Sequence, residues 1–166
     1  MMAKYTFWVA VLVFISGCRK APSEVAETTQ EPDAFSIQDY PKPVETTPEV
    51  LAMVSSWPEF MAMENSFDVL KRASNTEDLK LAIDDLIEKE KALATGDYPE
   101  TFNQLQVKSR QRLLRTFLYK VKGNLMDNRD INEGMEELIN AYNVFKNQFN
   151  VISGNTLDAK LILNEE

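Results

Sequence analysis

The sequence contains no histidine and one cysteine, Cys18. The first absence excludes Ser-His-Asp and Cys-His catalysis, haem ligation through histidine, and every zinc site that uses an imidazole. It also excludes the Glu-x-x-His pairs that hold di-iron centres in helical bundles. A single cysteine excludes an internal disulfide, even in a compartment that permits one. What remains is carboxylate acid–base chemistry or carboxylate-only metal binding, and neither has a positive signature. Adjacent acids such as Asp84-Asp85 and Glu136-Glu137 read as solvated helix surface. No catalytic residue, metal ligand or cofactor is assigned. Period-two alternation is missing as well, so no strand is expected.

Long apolar runs are scarce too. The one near the N-terminus extends from Phe7 to Ile15, well short of the roughly 20 residues a membrane-spanning helix needs. Lys4 precedes it, and Ser16 and Gly17 separate it from the cysteine. This is the layout of a secretory signal peptide. Ile15-Ser16-Gly17-Cys18 resembles the lipobox of bacterial lipoprotein precursors: an aliphatic residue, two small residues and an obligatory cysteine. The resemblance covers only the first 18 or so residues, and the rest of the chain resembles no family we recognise. It implies removal of residues 1–17 and diacylglyceryl transfer to the Cys18 thiol. Stable anchoring follows if two or more acyl chains are added, since each buried methylene contributes about 0.8 kcal/mol. Arg19, standing where an Asp would signal retention in the familiar sorting pattern, implies an outer-membrane location facing the periplasm if the host is diderm.

The chain carries a formal charge of −8, and losing Lys4, the one charged side chain among residues 1–17, makes it −9. Such a domain is repelled by nucleic-acid phosphates and by anionic lipid headgroups, so neither is an expected general partner. From Arg19 to about Thr47 the chain is rich in Pro, Glu, Thr and Ser. That composition buries too little apolar surface to offset ordering entropy, so residues 18–47 are expected to be a lipidated N-terminus and a flexible tether. About 30 such residues reach about 30 Å. Phe35, Ile37 and Tyr40 read as an incidental apolar cluster, with docking onto the domain or onto a partner as the alternative.

Residues 48–155 are expected to form an all-α, antiparallel bundle of about four helices, followed by a tail over 156–166. Thr47-Pro48 starts the first helix or helical pair, with a break at Trp57-Pro58. Phe60, Met63, Phe67 and Leu70 then share one face. The second helix begins at Asn75-Thr76, carries Leu79, Ile83, Leu86 and Leu93 inward, and stops at Gly96 in a left-handed cap. Asp97 and Glu100 have capping-box spacing for the third helix. Its securest part is Leu113, Leu114, Phe117, Leu118 and Val121, whereas 102–107 is less periodic and reads as a loop or broken turn. The fourth begins near Asp130. Its seam of Ile131, Met135, Leu138, Tyr142, Phe145, Phe149 and Ile152 alternates steps of four and three until Ser153-Gly154-Asn155 stops it. A bundle helix needs such a seam, so a homodimer through it is possible but not favoured.

Between Thr101 and Asp127 no acidic residue occurs, yet Lys108, Arg110, Arg112, Arg115, Lys120 and Lys122 do. Two readings compete for this stretch, of which Lys108, Arg110, Arg112, Arg115 and Lys122 are the candidate members. In one, the cations pair internally with Asp84, Asp85 and Glu88 across a tight turn near Asp97, and Arg110 occupies the core-facing edge. In the other, they form an outward site for an anionic ligand, a phosphate-bearing lipid or an acidic partner. Internal pairing is the preferred reading.

Together these features describe a membrane-anchored envelope lipoprotein whose bundle is a non-catalytic protein-interaction or structural module, with another envelope protein as partner. A small anionic-ligand binding or sensing domain is the alternative, and a carboxylate-based enzyme comes third. The first test concerns the anchor. Cys18→Ala is expected to abolish metabolic lipid labelling and stable membrane association; labelling that persists in the variant refutes the assignment.

Overall fold

The structure, a computed structural model, describes residues 34–163, with side-chain surroundings described as far as residue 155. Cys18, the signal segment and residues 19–33 of the expected tether lie outside the described residues. Five α-helices follow one another: α1 (Pro48–Val54), α2 (Pro58–Leu70), α3 (Thr76–Thr95), α4 (Leu105–Met126) and α5 (Asn132–Leu163). The fold is the expected all-α bundle. No strand is formed among the described residues; one isolated bridge joins Ala34 to Asn75.

Local chemistry accounts for the helix starts. The Thr47 side chain accepts from the Val50 N–H, and Pro48 opens α1. Trp57-Pro58 separates α1 from α2, because proline removes the amide that would continue the ladder. Asn75 caps α3 by accepting from Asp78 N–H at 2.9 Å. The turn into α5 passes through Asn128 at φ 51°, a left-handed position that asparagine tolerates better than most residues.

The four longer helices run up and down. Ser66 faces Asp85 while Glu59 lies against Gly96 at the end of α3, so α2 and α3 are antiparallel. Lys122 faces Asp84 while Arg115 faces Glu90, which makes α3 and α4 antiparallel. Phe67 stacks on Tyr142, and Phe60 meets Phe149, so α5 runs antiparallel to α2 and closes the bundle. The expected inward lines are buried: Phe60, Met63, Phe67 and Leu70; Leu79, Ile83, Leu86 and Leu93; Met135 through Ile152 on α5. Ile131, at the head of that seam, is partly buried against the core.

Four expectations are corrected. Gly96 is not left-handed; at φ −77° and ψ 173° it is extended. A Cβ there would lie 3.0 Å from the Glu59 Cδ and 3.1 Å from the Ala92 carbonyl oxygen, so the space is tight, although the Glu59 side chain can give way. Asp97 and Glu100 do not open a helix, because Glu100–Phe102 is a short 3₁₀ turn and α4 starts at Leu105. Phe102 in that turn is fully buried. Leu113, placed among the securest inward residues, is 42% exposed, and α4 instead turns Val107, Gln111, Leu114, Leu118, Val121 and Leu125 inward. The helix does not stop at Ser153-Gly154-Asn155 but continues to Leu163. Ile152 is buried, and its apolar packing works against the roughly 1 kcal/mol cost of a helical glycine.

The described part of the expected tether, residues 34–47, is also corrected: it is a strap fastened to the bundle. Phe35 N–H donates to Ser74 carbonyl at 3.1 Å, and Tyr40 OH donates to Asn132 Oδ1 at 2.8 Å. Phe35, Ile37 and Tyr40 pack against the core. Two asparagines one heptad apart on α5 then clasp the backbone from both sides. Asn143 accepts from Val44 N–H at 2.7 Å and donates to Lys42 carbonyl at 3.0 Å. Asn150 accepts from Thr47 N–H and donates to Glu45 carbonyl, each at 3.2 Å. Low hydrophobicity therefore did not leave this segment free, because helix amides supply the partners its backbone needs.

Loss of either clasp is expected to cost about 1–2 kcal/mol. Asn143→Ala with Asn150→Ala should strip hydrogen-exchange protection from the Val44 and Thr47 amides while the core amides of α3 stay protected. Unchanged exchange at these two amides would contradict the clasp.

Candidate functional site

The connection from Gly96 to Gln104 is folded around Trp57. Its Tyr98 ring lies 4.8 Å from the Trp57 ring, and Phe102 packs 6.5 Å from Trp57 and 4.8 Å from Phe149. This long, anchored connection shifts α4 relative to α3. Asp84 therefore meets Lys122, and Glu90 meets Gln111 and Arg115. A tight turn near Asp97 would instead have set Lys108 and Arg110 beside the acids at 84–88.

Glu90 is fully buried. Its Oε1 accepts from Gln111 Nε2 at 2.8 Å and its Oε2 from Arg115 Nε at 2.7 Å. The Tyr98 hydroxyl donates to Gln111 Oε1. Burial, with the Glu90 charge adding to it, pushes the Tyr98 hydroxyl up to about 12, so it stays a neutral donor throughout the physiological range. The hydrogen bond that Arg115 donates to Glu90 holds the guanidinium pKa above its ordinary value.

Above this network opens a cleft of about 460 Å³ between the C-terminal turns of α3 and the first half of α4. Lys91, Lys108, Arg112 and Arg115 line it, with Tyr98, Tyr119 and Gln111, and no carboxylate side chain does. The Lys108 ammonium sits 5.2 Å from the Tyr98 ring centroid and that of Lys91 6.0 Å from the Tyr119 ring centroid. These ring contacts position the cations without neutralising them. Among the described residues Lys91, Lys108 and Arg112 have no ion-pair partner.

The structure thus divides the five candidate cations. Lys108, Arg112 and Arg115 converge on the cleft. Lys122 pairs with Asp84 at 2.7 Å, and that bond raises its pKa. Arg110 is not on the core-facing edge. It donates to its own helix at the Gln106 carbonyl, 3.2 Å away, and lines a separate shallow depression with Leu113 and Val144. The inward position is Gln111, one residue on. Lys120, from the same basic stretch, pairs with Glu137 on α5 at 2.5 Å. Lys91, Glu90, Gln111, Tyr98 and Tyr119 were not singled out from sequence. A signal for two of them existed: Glu90 completes the 79, 83, 86, 93 spacing of α3, and Gln111 fills the corresponding place in α4.

A second polar knot ties α2 to α5. The Tyr142 hydroxyl donates to Glu64 Oε1, and Lys146, itself buried, donates to Glu64 Oε2 at 2.9 Å. Burial, then the nearby Glu64 charge, raises the Tyr142 pKa strongly. Every group here is paired within the chain, which makes it a structural fastening. Among the described residues no group of three or more potential ligands is placed to hold a metal ion, and no helix is long and apolar enough to cross a membrane. Comparison with known protein families, curated proteins and solved structures finds no match.

The Glu90–Arg115 pair should respond asymmetrically to mutation. Arg115→Gln strands a buried carboxylate and is expected to cost about 3 kcal/mol, whereas Glu90→Gln leaves a guanidinium that can turn to solvent and should cost clearly less. Chemical denaturation of the two variants checks this; equal losses would show that burial of Glu90 is not what the arginine compensates.

Proposed function

We propose that this chain is a lipid-anchored envelope lipoprotein whose helical bundle is a non-catalytic recognition module for an anionic feature of its partner. The anchor rests on the lipobox resemblance around Cys18. The observation that carries the recognition reading is the cleft at α3 and α4. Among the described residues of an acidic chain, seven other cations are paired with carboxylates, whereas Lys91, Lys108 and Arg112 face one concavity without such a partner. Unneutralised cations gathered in a concavity raise the local concentration of anions and speed their capture.

Another envelope protein presenting an acidic segment is the partner class that the anchor favours. A small anionic ligand is the second reading, favoured by the cleft's volume and its tyrosine walls. Both use the same cations, so the first experiment tests recognition itself. In-cell cross-linking of wild type and of the Lys108→Glu, Arg112→Glu double variant should yield a cross-linked species that the double variant lacks, while lipid labelling at Cys18 is retained. Identical cross-linked products from both proteins would remove the cleft from the recognition surface.

A further inference from the structure

We infer that the cleft between α3 and α4 is a binding site for a small organic diphosphate. The inference rests on the second, small-ligand form of the recognition reading and names the chemistry of that ligand.

Charge and spacing carry the argument. Lys108, Arg112 and Arg115 follow one another at steps of four and three on one face of α4, and Lys91 faces them from α3. Seven residues separate Lys108 from Arg115, about 10 Å along the helix axis. A single carboxylate engages one arginine fork and leaves the remaining cations unneutralised. Two linked phosphoryl groups carry several charges and present oxygens in many directions, which suits long cationic side chains that start from different turns and converge on one cleft.

Arg115 is preorganised for this role. Buried Glu90 holds its Nε, and the two terminal nitrogens make no hydrogen bond within the described structure. Glu90 is itself oriented by Gln111, and Gln111 by Tyr98. Glu90 offsets one of the four positive charges, leaving three for the ligand. The cleft of about 460 Å³ lies within the range of small-molecule sites, about 300–1,000 Å³. Ala94 and the exposed Tyr119 ring offer apolar surface for an organic portion beyond the phosphates.

The diphosphate can belong to a soluble molecule or to a lipid headgroup, and two probes separate these sources. Calorimetric titration of the full membrane-extracted protein with inorganic pyrophosphate tests the first. Titration with farnesyl diphosphate in the same detergent tests the second. Citrate is the non-phosphate control. Saturable binding of at least one diphosphate is expected, clearly tighter than citrate. It should weaken at least about tenfold in Lys108→Gln, Arg112→Gln, consistent with losing charge-assisted contacts, and remain unchanged in Arg110→Gln. Binding of pyrophosphate assigns a soluble source, and binding of farnesyl diphosphate alone assigns a lipid-linked one. Should the double variant lose its cooperative melt, Lys91→Gln takes its place, with at least about threefold weakening expected. No saturation by either diphosphate, equal binding of citrate, or undiminished binding in the cleft variants overturns the proposal. If diphosphates fail while the in-cell cross-link still depends on Lys108 and Arg112, this inference falls and the recognition reading stands.

Discussion

The arrangement of the bundle depends on the packing of aromatic rings around Trp57. Phe60 comes from α2, Tyr98 and Phe102 from the connection into α4, and Phe149 from α5, and each ring lies within 6.5 Å of the indole. Large rings at one point bury much apolar area and add directional preferences of about 0.5–1.5 kcal/mol per pair. The cluster holds down a connection that would otherwise be an ordinary surface loop. By fixing where α4 begins, it fixes which residues of α4 meet which residues of α3.

That register matters because both helices carry a polar residue in an otherwise apolar seam. Glu90 and Gln111 occupy seam positions and satisfy one another, and Arg115 supplies the compensating charge from the cleft side. A one-turn slip would leave a carboxylate buried against hydrocarbon, which is far costlier than a lost surface pair. The Glu64, Tyr142 and Lys146 knot penalises slippage of α5 against α2 in the same way. Apolar packing drives the assembly together, and the two polar knots penalise assemblies that are nearly right.

Much of this fold was legible in the sequence because three–four spacing reports burial directly. Thr47, Asn75 and the Trp57-Pro58 break mark boundaries through local chemistry, and the α5 seam is buried from Met135 to Ile152. What was illegible depended on distant partners. The strap reads as disordered because its stabilising contacts lie about a hundred residues away, on Asn143 and Asn150. The cleft was only partly visible: a run of cations can be seen, but its division between paired and unpaired members depends on the length of the connection before it. Arg110, expected on the core-facing edge, stands one position out of phase with the buried line, and Leu113, expected inward, is exposed. Gln111 shows the true phase. A polar residue completing an apolar line was the clue, and it is informative only when a second helix offers its counterpart.

The two asparagine clasps also have a mechanical consequence. A pull on the chain at Ala34 reaches the strap from one end, so its fastenings are loaded in order: Phe35 on Ser74, Tyr40 on Asn132, then Asn143 and Asn150. Loading of this kind peels contacts one by one and leaves the helical core unsheared. Fully peeled, residues 34–47 extend by about 3.3–3.6 Å each, so the distance between the bundle and whatever holds its N-terminal side lengthens in steps under tension.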